Sequence, residues 1–164
     1  MAAPLASAPE AVLSSAALWL LSSLLVGLGA NRLPEPWLQE RRERRGRPAA
    51  GGASPDPLGV RVWKRWLPDA GAVLPGGVAK ASLVRRDAEA LERLVVETRR
   101  AELVHWALWP IWLVTPLWLP PAGVLLNLLF ACLFNLPCLL VQRHNRRRLE
   151  GLLGRLALRA QGGG

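Results

Sequence analysis

The chain of 164 residues combines a hydrophobic fraction of 51% with a formal net charge of +9. Charged and apolar residues are segregated along the chain, which is typical of membrane proteins, and this length leaves no room for a soluble catalytic domain beside the membrane segments. A basic excess also occurs in nucleic-acid-binding proteins, but no nucleic-acid-binding motif is present and the arginines flank apolar spans. We therefore expect anionic lipids, and no nucleic acid, as partners.

The first apolar segment covers residues 11–30, which contain no charged side chain. Twenty residues of α-helix are enough to cross a hydrocarbon core of about 30 Å. A cleaved signal peptide is the alternative, but residues 1–10 lack the Lys or Arg that such a peptide carries at its start. We expect a retained transmembrane helix.

A basic block follows this span, and the positive-inside rule places it in the cytoplasm. Its arginines are Arg41, Arg42, Arg44, Arg45 and Arg47. Residues 46–59, rich in Gly, Pro, Ala and Ser, indicate a flexible linker. In residues 60–71, Trp63 and Trp66 lie three positions apart with two basic residues between them. An amphipathic helix on the membrane surface and a small cytoplasmic lobe with core tryptophans fit this pattern equally well.

A long helix is predicted to begin near Ser82, a suitable N-cap residue. The residues that share one face of this helix, about 100° wide, are Leu91, Leu94, Thr98, Ala101, Glu102 and His105. Glu102 and His105, three residues apart, are therefore expected on the packing face rather than on the solvated side. Glu97 borders this face.

Residues 103–141 contain one ionisable side chain besides two thiols, that of His105. The Pro-Pro-Ala-Gly sequence at 120–123 predicts a turn between two membrane segments, about 104–119 and 122–141. A re-entrant hairpin is the alternative, since prolines are numerous. The two cysteines, six residues apart, are expected to be buried free thiols, and no metal site is predicted.

The distribution of positive charge predicts the topology. All 21 Lys and Arg residues lie within 32–100 or 143–159, which fall on one side if the chain crosses three times. The predicted fold is one all-α integral membrane domain over 1–164, with an N-terminal helix, a cytoplasmic amphipathic region, a long helix entering the membrane and a Pro-rich helical hairpin. The N-terminus is expected outside and the C-terminus in the cytoplasm.

The stretches ETRRAELVHW (97–106), NLP (135–137) and QRHNRRRL (142–149), and more loosely VWKRWLPD (62–69), form a recognisable set. In this order they resemble the glycosyl-4,4'-diaponeurosporenoate acyltransferase family, small bacterial membrane proteins of carotenoid biosynthesis. The family typically has an aromatic residue where this chain has His144. His144 is therefore not expected to be catalytic.

The resemblance implies a reaction at the bacterial cytoplasmic membrane. A fatty acyl chain is esterified onto the primary hydroxyl of the sugar in a glycosylated carotenoid, the last step toward a staphyloxanthin-like pigment. The implied donor is an acyl thioester, acyl-coenzyme A or acyl carrier protein, and no other cofactor is expected. Other carotenoid pathway enzymes are further expected partners, and the alternative function is a non-catalytic membrane scaffold for such a complex.

Acyl transfer to an alcohol requires a base for the hydroxyl proton and hydrogen-bond donors for the developing oxyanion. His105 is the candidate base, with Glu102 or Glu97 as the partner that fixes its tautomer. The candidate substrate-binding residues are Arg100, Asn135, Gln142, Arg143, Asn145 and Arg146. A lone histidine at the membrane edge also serves as an interfacial anchor, and Asn135 before Pro137 also fits a helix kink in which the amide bonds a freed carbonyl.

Overall fold

The structure of the chain is a computed structural model that describes residues 7–43, 59–63 and 88–162. Within these ranges it contains five α-helices and one 3-10 segment, and no strand. In chain order they are α1 (Ala8–Asn31), α2 (Glu35–Glu43), α3 (Val60–Trp63), α4 (Ala88–Leu108), the 3-10 segment (Trp109–Leu117) and α5 (Pro121–Gly162). The predicted all-α class is confirmed for this part of the chain.

Two of the described helices, α1 and α5, are long and apolar enough to cross a membrane. In α1, Gly27 and Ala30 are buried, while leucines on several sides are exposed, with Leu13 at 70% and Leu20 at 72%. A helix with an apolar surface on nearly all sides suits a lipid environment. The position of α1 agrees with the span predicted over residues 11–30.

The segment predicted as the first limb of the hairpin, about 104–119, is not a regular α-helix. α4 ends at Leu108, and Trp109–Leu117 continue as a 3-10 helix that contains Pro116. Proline lacks an N–H group and clashes with the preceding turn, so α-helical bonding does not propagate through it. Because a 3-10 helix rises about 2.0 Å per residue, this limb reaches about 25 Å, farther than an α-helix of equal length. The count of three membrane segments stays a prediction.

The chain turns at residues 118–120, between the 3-10 segment and α5, so the turn predicted at 120–123 lies two residues earlier and residues 121–123 are already helical. Pro121 is the first residue of α5, where a missing N–H group costs no helical hydrogen bond. A Cβ atom on Gly123 would lie 3.2 Å from the Cβ atom of Leu119. Glycine at this position therefore lets the two limbs approach each other closely.

α4 and α5 pack antiparallel and carry the hydrophobic core. The predicted packing face of α4 is confirmed where Leu91, Thr98 and Glu102 are buried. Leu91 and Val95 form a buried cluster with Leu153 of α5. Burial of each such side chain contributes about 1.5–3 kcal/mol. The antiparallel pair of α4 and α5, called the hairpin from here on, therefore has an apolar core in the half that carries the charged residues.

α5 is longer than the limb predicted over 122–141. The basic tail that follows residue 141 belongs to the same helix, which has 42 residues. This helix contains Pro137, which leaves the carbonyl of Leu133 without a helical N–H partner. Asn135 Nδ2 instead donates to the carbonyl of Ala131 at 2.9 Å. The expectation that Asn135 bonds the freed carbonyl is therefore wrong, because its side chain reaches back one full turn.

The short helices α2 and α3 pack against the hairpin. Leu38 of α2 is 2% exposed, and its carbonyl accepts a hydrogen bond from Arg99 Nη1 at 3.0 Å. Val60 of α3 is buried, and α3 contacts α5. The two cysteines of α5 are free and partly buried, as predicted.

Several predicted features lie outside the described residues. They are the linker over 46–58, the N-cap at Ser82, the arginines Arg44, Arg45 and Arg47, and residues 64–71 of the amphipathic region. The linker and the choice between a surface helix and a cytoplasmic lobe therefore stay predictions.

A polar contact holds α1 against α5 within the apolar region. Trp19 Nε1 donates to Asn127 Oδ1 at 2.9 Å, and Asn127 Nδ2 donates to the carbonyl of Gly123 at 3.0 Å and to Ser15 Oγ at 3.3 Å. The rings of Trp19 and Phe130 lie 5.0 Å apart beside this amide. Asn127 is buried, so its hydrogen bonds favour one relative position of the two helices.

Replacing Asn127 by alanine (Asn127→Ala) is expected to lower the free energy of unfolding by about 1–2 kcal/mol, because Trp19 and Ser15 lose their partner. Denaturant unfolding in detergent micelles, followed by tryptophan fluorescence, measures this loss. Leu126→Ala is the control, since Leu126 is 66% exposed and should change stability by less than about 0.5 kcal/mol. Equal losses in the two variants would contradict a role of Asn127 in helix docking.

Candidate functional site

Three charged side chains meet at the interface of α4 and α5. Glu102 Oε1 accepts a hydrogen bond from Arg143 Nε at 2.8 Å, and Glu102 Oε2 accepts one from Arg146 Nη1. The side chains of Glu102 and Arg146 are 10% and 12% exposed, and that of Arg143 is 41% exposed. Removing a carboxylate from water is compensated only by close and well-oriented counter-charges, which the two guanidinium groups supply.

These contacts set the charge state of Glu102. Burial by itself would raise the pKa of the Glu102 carboxyl. The hydrogen bonds from Arg143 and Arg146, together with their positive charges, outweigh burial and hold this pKa below its ordinary value of 4.5. Glu102 is therefore a carboxylate at neutral pH and the shared counter-ion of two arginines.

The imidazole of His105 has a different partner. His105 Nδ1 lies 3.1 Å from Asn135 Oδ1, and Asn135 is 3% exposed. The amide is oriented by its second hydrogen bond, from Nδ2 to the carbonyl of Ala131. Because an amide oxygen only accepts, Nδ1 carries the proton and Nε2 carries the lone pair. Asn135 therefore holds His105 in the tautomer that accepts a proton at Nε2.

The structure corrects the predicted pairing of His105 with Glu102 or Glu97. His105 and Glu102 both face α5, but the arginines of α5 hold the carboxylate and an amide holds the imidazole. Glu97 pairs with Arg100 on its own helix. Two guanidinium groups attract a carboxylate more strongly than a neutral imidazole does, which accounts for the difference.

Arg143 packs against the residue that follows the candidate base. Its guanidinium carbon is 5.8 Å from the centre of the Trp106 ring, within the range of a cation–π interaction. Trp106 directly follows His105 in α4, so the guanidinium packs on the ring of the neighbouring residue. Gln142 and Asn145 are partly buried on α5, within one turn of Arg143. The predicted binding residues of α5 therefore occupy the same part of the hairpin.

Two further ion pairs lie along α4. Glu97 and Arg100 bridge each other, with side chains 24% and 12% exposed. Arg99 Nη2 lies 3.6 Å from Glu150 of α5. Glu97 and Arg100 bind each other, so their ion pair is structural and does not bring either side chain to His105.

The partnership of His105 with Asn135 is not apparent from the sequence pattern. The available signal is the occurrence of Asn127 and Asn135 in an otherwise apolar span, eight residues apart and therefore on one side of the helix. A polar residue in such a span is a candidate functional residue by default. Which of the two meets the imidazole depends on the register of α4 against α5.

Replacing Glu102 by glutamine (Glu102→Gln) is expected to lower the free energy of unfolding at neutral pH by about 3 kcal/mol, because Arg146 then keeps a buried charge without a counter-charge. Glu89→Gln is the matched control. Glu89 pairs with Arg93 on the same helix at 76% and 72% exposure, so its loss should cost less than about 0.5 kcal/mol. Similar losses in both variants, measured by unfolding in detergent, would contradict the buried charge cluster.

The pH dependence of this effect follows from the lowered pKa of Glu102. A carboxyl whose folded pKa lies below its unfolded value stabilises fully above the unfolded value, near 4.5, and loses this contribution as the pH falls through the folded value. The stability difference between the wild type and Glu102→Gln should therefore be constant near neutral pH and shrink in acid. A difference that persists in strong acid would show that charge is not its cause.

Comparison with known proteins gives two kinds of match. Residues 34–155, which include every predicted site residue, match the family model CrtO, glycosyl-4,4'-diaponeurosporenoate acyltransferase. The protein of that name from Staphylococcus aureus strain USA300 is 31% identical over 103 residues, which is 62% of this chain and 61% of the relative. The protein from strain Newman is 32% identical over 95 residues, 57% of this chain and 56% of the relative.

The chain thus spans about three fifths of the length of the curated relatives it matches. No solved structure matches it at a significant level. The family match covers most of the chain and confirms the resemblance carried by the short motifs. The chain belongs to the glycosyl-4,4'-diaponeurosporenoate acyltransferase family.

Proposed function

We propose that this protein is a membrane acyltransferase of carotenoid biosynthesis. It esterifies a fatty acyl chain from an acyl thioester onto the primary hydroxyl of the sugar in a glycosylated carotenoid. The names of the family and of the Staphylococcus aureus relatives support the reaction class and the acceptor. The observation that carries the proposal is the contact of His105 with Asn135, which provides a base of fixed tautomer on the same hairpin as the cationic Arg143.

In the proposed reaction, His105 Nε2 takes the proton of the sugar hydroxyl while the hydroxyl oxygen attacks the thioester carbonyl carbon. Asn135 keeps the second imidazole proton on Nδ1. The tetrahedral intermediate then collapses, with formation of the C–O ester bond and cleavage of the C–S bond. The proton passes from the imidazolium to the leaving thiolate. One histidine thus serves first as base and then as acid, without an acyl-enzyme.

Arg143 is the proposed electrostatic partner of this reaction. Its Nε is bound to Glu102, and its partly exposed guanidinium lies beside Trp106. A guanidinium held in place in this way is proposed to bind the acyl donor without reorganisation. Gln142 and Asn145, on the adjacent turn, are proposed to bind the polar parts of the two substrates. Glu102 then acts through Arg143, as a positioning residue.

We further propose three membrane crossings in the bacterial cytoplasmic membrane, with the N-terminus outside and the C-terminus in the cytoplasm. The placement of all 21 Lys and Arg residues on one side of such a topology supports it. In this orientation His105 faces the leaflet that acyl thioesters reach from the cytosol. The carotenoid reaches it along the apolar surface of α5, where Leu133 and Phe134 are 70% and 61% exposed.

Replacing His105 by alanine (His105→Ala) is expected to slow ester formation by at least about 100-fold, because a general base contributes about 10²–10⁴ to the rate. Mass spectrometry of pigments extracted from a host that produces the variant compares the acylated with the free glycoside. Membrane levels of the variant and the wild type are matched first. Acylated product at the wild-type rate would instead support a non-catalytic scaffold.

Replacing Asn135 by alanine (Asn135→Ala) is expected to lower kcat while leaving KM unchanged, because the substrate contacts remain and the imidazole loses its fixed tautomer. Asn127→Ala is the matched control. It removes a buried amide from the same helix, at the contact with Trp19 and away from the imidazole. Its folded fraction should keep the wild-type kcat. Equal losses of kcat in the two variants would contradict a role of Asn135 toward His105.

A further inference from the structure

We propose that Arg143 and Arg147 form a binding site for an acyl-phosphopantetheine, with the phosphate at Arg147 and the thioester at His105. Coenzyme A and carrier proteins both present this group. The inference rests on the proposed acyl transfer and names the chemical class of its donor. It assigns a ligand to Arg147, which no step of the proposed reaction uses.

Arg147 is suited to bind an anion. Its side chain is exposed, and within the described ranges it has no acidic partner. Glu102 supplies one negative charge against the two positive charges of Arg143 and Arg146, so Arg147 adds to an uncompensated positive charge. Arg143 and Arg147 lie four residues apart, on one side of α5. Two guanidinium groups one turn apart favour a phosphate, which accepts several charge-assisted hydrogen bonds.

Arg143 is suited to bind the middle of the arm. Its Nε is occupied by Glu102, and no acceptor for Nη1 or Nη2 lies among the residues that the structure describes. The Trp106 ring and the Glu102 carboxylate fix the plane of the guanidinium, which is 41% exposed. Its remaining N–H groups can therefore donate to the carbonyl oxygens of the two amides in the arm.

The spacing along α5 matches the order of groups in the donor. The imidazole of His105 lies beside the side chain of Asn135. Asn135 precedes Arg147 by twelve residues, which is about 18 Å along the helix axis. This is comparable to the distance between the phosphate and the thioester in an extended phosphopantetheine. Arg143 lies between them, where the arm carries its amides. One turn beyond Arg147, a Cβ atom on Gly151 would meet nothing within 4 Å, so a larger group attached to the phosphate is not obstructed there.

The experiment measures initial rates of ester formation by the full-length protein in neutral liposomes and, in parallel, in anionic liposomes. One acyl chain is presented on pantetheine, phosphopantetheine, coenzyme A and a carrier protein. The wild type should show a KM about tenfold lower for acyl-phosphopantetheine than for acyl-pantetheine. Arg147→Gln should remove this difference without changing kcat. It should also raise KM for acyl-coenzyme A and for the acyl carrier protein, while the wild-type KM values distinguish these two sources.

Arg148→Gln is the matched control. Arg148 is also exposed but points about 100° around the helix from Arg147, so its loss should leave every KM unchanged. An equal effect of both substitutions, or an effect of Arg147→Gln confined to anionic liposomes, would identify a general membrane anchor and overturn the proposal. Equal KM values for acyl-phosphopantetheine and acyl-pantetheine would overturn the phosphate site and leave the proposed acyl transfer standing. Absence of transfer from every thioester would overturn both.

Discussion

The buried carboxylate of Glu102 between two arginines is the contact on which the rest of the structure depends. Each ion costs several kcal/mol to remove from water, and only close partners compensate that cost. α4 therefore cannot slide against α5 without leaving Glu102 or Arg146 uncompensated. Asn135 lies eleven residues before Arg146 and His105 three residues after Glu102. The ion cluster thus fixes the register that brings imidazole and amide together.

The hairpin has a charged half and an apolar half. Its charged half has a core of aliphatic side chains, in which Leu91 and Val95 of α4 contact Leu153 of α5. Its apolar half exposes leucines and phenylalanines, as a surface in contact with lipid does. The ion cluster lies at the transition between the two halves. Charged and apolar surfaces of the hairpin therefore meet at this point.

Much of this arrangement follows from sequence patterns, because periodicity and proline positions are local signals. They predict the packing face that contains Thr98 and Glu102, a turn within two residues of its place at 118–120, and the apolar character of α1. They do not predict the 3-10 segment, since Pro116 excludes a regular helix without selecting its replacement. Nor do they choose the partner of His105. That choice depends on the register between two helices, which buried charges far apart in sequence determine.

The continuity of α5 has a mechanical consequence. A helix of 42 residues is a rod about 63 Å long, and its apolar end is long and apolar enough to cross a membrane. Bilayers of different thickness change the tilt of such a rod, because the apolar stretch adjusts to the hydrocarbon layer. The helix continues on both sides of Pro137, where one backbone hydrogen bond is missing, so the far end follows the tilt together with any bend at this proline. Bilayer thickness thereby sets the height of the C-terminal turns above the headgroups.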